Sequence, residues 1–138
     1  QKTYPVHLKF NTGLNRLGFA KDDVQEVLSA VKASKAIKLR SVFSHLAASE
    51  DLEEKAFTLK QLNAFQEISE EIMAALPYTP FLHTLNTSGI LNYPEAHYDM
   101  VRCGIGLYGF ANDLQTTSQL KLVATLKSVI SQIHTLEE

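Results

Sequence analysis

Three short apolar runs, each followed or preceded by a stretch with helical spacing, constrain this chain more than any other feature. Val6–Phe10, Leu39–Ser44 and Phe81–Leu85 are of strand length. Between the first two, Val24, Val27, Leu28 and Val31 mark one face of a helix expected from about Asp23 to Ser34, with Asp22 and Gln25 spaced as a capping box. Between the second and third, Thr58 and Gln61 repeat that spacing, and Phe57 and Leu62 are placed as its hydrophobic staple. Leu59, Leu62, Phe65, Ile68, Ile72 and Leu76 give that helix its buried stripe, and Pro77 ends it. Strands separated by helices predict right-handed parallel βαβ units, which build either an open sheet or a barrel. Periodicity does not choose between the two.

The chemistry concentrates between Pro80 and Gly109. The third apolar run breaks at Asn86-Thr87-Ser88-Gly89, where hydroxyls beside a glycine let backbone N–H groups approach an anion. A second short apolar stretch, Met100-Val101, leads into Arg102-Cys103-Gly104-Ile105. If both stretches are strands of one parallel sheet, the two loops lie on the same side. Net charge of −2 and a pI near 6.2 supply no basic field for nucleic acid or an anionic membrane surface. No apolar run approaches the roughly 20 residues of a membrane span, and the N-terminus lacks the pattern of a secretory signal. The lone cysteine, Cys103, cannot close an internal disulfide, which fits a reducing, cytoplasmic setting.

Four motifs, in order, resemble those of alanine racemases. Val6-His7-Leu8-Lys9-Phe10-Asn11-Thr12-Gly13-Leu14-Asn15-Arg16-Leu17-Gly18 is similar to the family's His-x-Lys-x-Asp-Thr-Gly-Met-x-Arg-x-Gly segment, and the Ser-His-Leu-Ala within Ser41 to Asp51 to its Ser-His-x-Ala segment. Asn86-Thr87-Ser88-Gly89 resembles the Asn-Ser-x-Gly phosphate loop, and Val101 to Gly109 the Val-Arg-Pro-Gly-Ile-x-x-Tyr-Gly motif. Taken singly, these loops read equally as glycine turns, His45 as a satisfied polar residue and Arg102 as a surface ion-pair partner. Their order along the chain favours the resemblance.

The resemblance implies an α/β fold of parallel βαβ units: the second half of a (β/α)₈ TIM-type barrel over residues 1–112, with 113–138 a linker and the first strands of a C-terminal β domain. A composition change near 111 to 119 and the renewed alternation from Leu120 to Leu136 agree with that division. It also implies pyridoxal 5'-phosphate as cofactor, held by Asn86, Thr87 and the backbone at Gly104 and Ile105. His45 would pack on the cofactor ring, and Arg102 would face the pyridine nitrogen. A guanidinium keeps its proton, so it donates to that nitrogen without protonating it, which weakens the electron sink and disfavours transamination. Arg16 would orient the substrate carboxylate, and Lys9 would carry a carbamate that attracts Arg16. Thr87 replaces the family's serine and keeps the hydroxyl, Asn11 replaces an aspartate, and Cys103 replaces a proline.

Neither base of the two-base racemisation falls within the chain. The family's cofactor-linked lysine lies on the first barrel strand, upstream of the region matched here. Its catalytic tyrosine lies downstream, and no tyrosine follows Tyr108. Gln1 and the unfinished strand near Val129–Ile133 suggest a piece of a longer protein, inactive alone. Its parent would interconvert L- and D-alanine for peptidoglycan synthesis in the cytoplasm as a homodimer. Alternatives are a pyridoxal-phosphate homeostasis protein of the same barrel fold, whose phosphate loop differs, or a catalytically silent half-barrel.

Overall fold

In the computed structural model, which describes residues 2–136, three strands form one parallel sheet in the order β1-β2-β3. They are β1 Tyr4–Lys9, β2 Ile37–Phe43 and β3 Phe81–His83, joined by α1 Val24–Ala33 and α2 Lys55–Ala75. Beyond β3 come two short helices, α3 Thr87–Asn92 and α4 Leu114–Ser118, with 3₁₀ turns at Pro94–Ala96 and Ile105–Tyr108. The strand–helix alternation expected from sequence is therefore the observed order, with boundaries moved by one to three residues.

The sheet has two chemically different faces. Val6, Leu8, Leu39, Val42 and Leu82 pack with the apolar stripes of α1 and α2, where Val24, Leu28, Phe65, Ile68 and Ile72 are almost wholly buried. The opposite face carries His7, Ser41, Phe43 and His83, which touch one another. An irregularity makes this possible. Pairing slips between Val6 and His7, leaving Arg40 without a partner and bringing Ser41 opposite His7. Such a bulge re-aims the side chains that follow it. A doubly wound sheet is covered by helices on both faces; among the described residues, these helices cover one.

Four expectations are corrected. Asp22 and Gln25 form no capping box: the Asp23 carboxylate accepts from the Ala20 N–H at 2.8 Å, and Gln25 turns to Glu71 on α2. Thr58 and Gln61 do not cap α2, which starts earlier, at Lys55; both are fully buried inside it, while Leu59 is 37% exposed. The second helix face is thus rotated toward polar residues that the stripe left out. Met100-Val101 is not a strand, because the Asp99 side chain takes the Leu82 N–H that a ladder partner's carbonyl would occupy. Residues 121–136 form no strand among the described residues, since a ladder needs a neighbour, and Leu126 and Val129 are over 90% exposed.

Candidate functional site

The site collects where β1, β2 and β3 end. Arg102, although not on a strand, is placed there by main-chain bonds: Asp99 N–H donates to Leu82 O at 3.2 Å and Arg102 N–H to Leu85 O at 3.0 Å. Its guanidinium then spans the strand ends. Nη1 donates to His83 Nδ1 at 2.5 Å, and Nη2 donates to Ser44 O at 2.9 Å and Thr84 O at 3.0 Å, with His45 Nδ1 at 3.2 Å. The charge also lies 5.4 Å from the centroid of the Phe43 ring, which stacks on His83. Nε–H and the second N–H of Nη1 are left without a partner among the described residues, so the group is fixed in orientation while donors stay available.

Beside it lies a small cradle. Thr87 Oγ1 accepts from Gly104 N–H at 2.9 Å and from Gly106 N–H at 3.1 Å. Two main-chain donors thus converge on one oxygen, as they would on an anion. A methyl at Gly106 would come within 2.8 Å of Thr87 Cγ2, so the loop can lie this close only because residue 106 has no side chain. Gly106, rather than Ile105, shares the hydroxyl with Gly104; Ile105 is 59% exposed. Asn86 Oδ1 is used within the fold, accepting from Gly89 N–H and Ser49 Oγ, which caps α3 and ties it to the loop after β2.

The third group is cationic. Lys9 ends β1 and donates to Leu17 O at 2.5 Å. Burial, followed by the charges of Arg16 and Arg102, lowers its pKa. His45 is lowered by burial, then by Arg102, Arg16 and Lys9. Arg16 itself is exposed and makes no side-chain hydrogen bond among the described residues. Asn11, in the place of an aspartate, accepts from Gly13 N–H and Asn15 N–H and shapes the turn between Lys9 and Arg16.

Two site residues were missed in the sequence. Gln61 is completely buried on α2; its Oε1 accepts from Ala47 N–H at 2.9 Å, and its amide NH₂ reaches His45 O at 3.4 Å. It thereby supports the loop that carries His45. Its signal was a glutamine spaced one position from Leu62 and four from Phe65 on a buried face. His83 is the other, a histidine in the middle of an apolar run. Burial first, then Arg102 and His7, push its pKa down to about 4, so it is neutral and accepts from Arg102.

That depression predicts a pH dependence. An unfolded histidine titrates near 6.5, so between that value and about 4 the unfolded chain holds a proton that folded His83 lacks. Stability is complete above the upper limit and falls as pH drops through this window. Denaturant midpoints measured from pH 7 to 4 are expected to decline, and His83→Gln to flatten the decline. A wild-type midpoint that rises on acidification contradicts the assignment.

Comparison with known proteins adds an independent line. The family model described as "Alanine racemase, N-terminal domain" matches residues 1–112. The alanine racemase of Synechocystis is 36% identical over 137 residues, 98% of this chain and 37% of that protein; the one from Fusobacterium nucleatum is 37% identical over 131 residues, 91% and 34% respectively. Among solved structures, alanine racemase from D-cycloserine-producing Streptomyces lavendulae superposes with a TM-score of 0.79 at 27% identity, covering 88% of this chain and 33% of that one. The Clostridium difficile enzyme in complex with cycloserine gives 0.77 at 29% identity, covering 88% and 34%. The chain spans about a third of the length of the relatives it matches.

Proposed function

The chain belongs to the alanine racemase N-terminal domain family, and from this we propose that the protein containing it interconverts L-alanine and D-alanine with pyridoxal 5'-phosphate. In this reading residues 1–112 form part of a (β/α)₈ barrel, and 113–138 lead into a C-terminal β domain. The protein would act in the cytoplasm as a homodimer and supply D-alanine to peptidoglycan. The observation that carries the reading is the Arg102 guanidinium, held by His83, Ser44 and Thr84 with Nε–H left over, beside the cradle of Thr87, Gly104 and Gly106.

The donor set fits the cofactor. When bound, pyridoxal phosphate draws electron density from the amino acid's α-carbon and makes its proton removable. Thr87 and the main-chain N–H groups of residues 104 to 106 would hold the phosphate with neutral donors, and the amide NH₂ of Asn86 remains available to it. His45 would lie against the ring. Arg102 would present Nε–H to the pyridine nitrogen, donating without losing its proton. Arg16, exposed at the mouth, would meet the substrate carboxylate.

Lys9 is the proposed carbamate. Its lowered pKa raises the fraction of neutral amine, the form that attacks carbon dioxide, and the charges of Arg16 and Arg102 would then attract the product. A crystal structure grown with bicarbonate should show density continuing beyond Nζ; an unmodified ammonium there removes this assignment.

The decisive test of the function is D-alanine formation by the full protein from L-alanine with pyridoxal phosphate, followed by chiral chromatography. No D-alanine from a protein loaded with cofactor would sink the proposal. The 138-residue chain alone is expected to form none, since it contains neither the cofactor-linked lysine nor the tyrosine that the resemblance requires. Activity from the isolated chain would show that its own groups suffice.

A further inference from the structure

We propose that His7 and Ser41 are positioning residues that set the hydrogen-bond direction of His83 and, through it, hold Arg102. His7 Nδ1 lies 2.5 Å from Ser41 Oγ, Ser41 Oγ lies 3.0 Å from His83 Nε2, and His83 Nδ1 lies 2.5 Å from Arg102 Nη1. These four side chains from β1, β2, β3 and the Arg102 loop form one continuous line. Its direction follows from elementary donor counting. A guanidinium has donors only, so His83 Nδ1 must accept. Neutral His83 then carries its proton on Nε2 and donates to Ser41 Oγ. The buried Ser41 hydroxyl has no other acceptor among the described residues, so its own proton goes to His7 Nδ1, which accepts.

Every bond therefore points from Arg102 toward His7, and the far end matters. Without an acceptor at residue 7 the buried Ser41 hydroxyl is free to turn and donate to His83 Nε2. That selects the His83 tautomer with a proton on Nδ1, which sets two donors face to face at Arg102. The bulge that places Ser41 rather than Arg40 beside His7 is what builds the line. His7 and Ser41 touch neither the cradle nor the available Nε–H, so they act only through His83.

The proposal deepens the racemase reading, but its first test does not depend on it. Histidine ring ¹⁵N spectra of the full protein without cofactor should show His83 as a single tautomer, protonated on Nε2 with Nδ1 accepting. His7→Phe is expected to introduce the second His83 tautomer, and His7→Asn, whose Oδ1 can replace Nδ1 as acceptor, to restore one. In a Ser41→Ala background, where the line is cut, His7→Phe should produce no further change at His83. With cofactor and alanine, His7→Phe should raise the ratio of transamination to racemisation several-fold and His7→Asn should return it. A wild-type His83 protonated on Nδ1, or His7→Phe spectra identical to wild type, overturns the proposal. Supportive spectra from a protein that does not racemise alanine would retain the line and reject only the functional reading.

Discussion

Arg102→Glu in the full protein is expected to lower racemisation roughly 100-fold or more, the range found when a preorganised charged or polar donor is removed, and to raise the share of transamination. The geometry gives two reasons. Arg102 bonds His83 Nδ1, Ser44 O and Thr84 O together, with His45 Nδ1 close by. A carboxylate offers no donor to any of them and faces two carbonyl oxygens instead. It also favours protonation of whatever nitrogen it meets, because an opposite charge stabilises the cationic form. A protonated pyridine is a stronger electron sink, and electron density held there opens the route to keto acid. Arg102→Lys provides a useful comparison: it keeps the charge but lacks the planar fork that spans several acceptors. Its racemisation should fall with less change in partition. The measurement is the ratio of pyruvate to D-alanine, and an Arg102→Glu ratio equal to wild type would falsify the role given to this residue.

How far the sequence revealed this site depended on whether a residue's task was local. Strand and helix order was legible, because apolar runs and 3.6-period stripes follow from burying one face. The turn at residues 86–89 was legible because small residues and hydroxyls cluster there. Thr58 and Gln61 were misread because capping-box spacing is the same whether the pair sits at a helix start or within it. Only burial against loops distant in sequence separates the two cases. His83 escaped for a related reason: a histidine in an apolar run has no meaning until Arg102, 19 residues on, is brought to its ring. Met100-Val101 resembled a strand, yet main-chain and Asp99 side-chain bonds lay that segment beside β3 without a ladder. The two loops still meet on one side, so the juxtaposition expected of two strand ends is reached without the second strand.

Thr87→Val is expected to weaken pyridoxal phosphate binding by roughly 10- to 150-fold, the equivalent of one hydrogen bond to a charged group at about 1.5–3 kcal/mol. Valine matches threonine in shape but removes Oγ1, the atom on which Gly104 N–H and Gly106 N–H converge. Two consequences should separate. The cofactor-free protein loses little stability, because residue 104 is exposed and 106 partly so, and water takes the two N–H groups that lose Oγ1. The bound form also loses the hydroxyl's own bond to the phosphate, so at equal concentration cofactor protects the variant against heat less than it protects wild type. Thr87→Ser keeps the hydroxyl and should bind close to wild type. Gly106→Ala keeps it too, but its added methyl, 2.8 Å from Thr87 Cγ2, forces the loop away and should weaken binding by a steric route. Equilibrium titration of the three variants with cofactor distinguishes these causes. If Thr87→Val binds like wild type while Gly106→Ala does not, the hydroxyl only shapes the empty loop and the phosphate is held by main-chain groups alone. If both bind like wild type, the anion lies elsewhere.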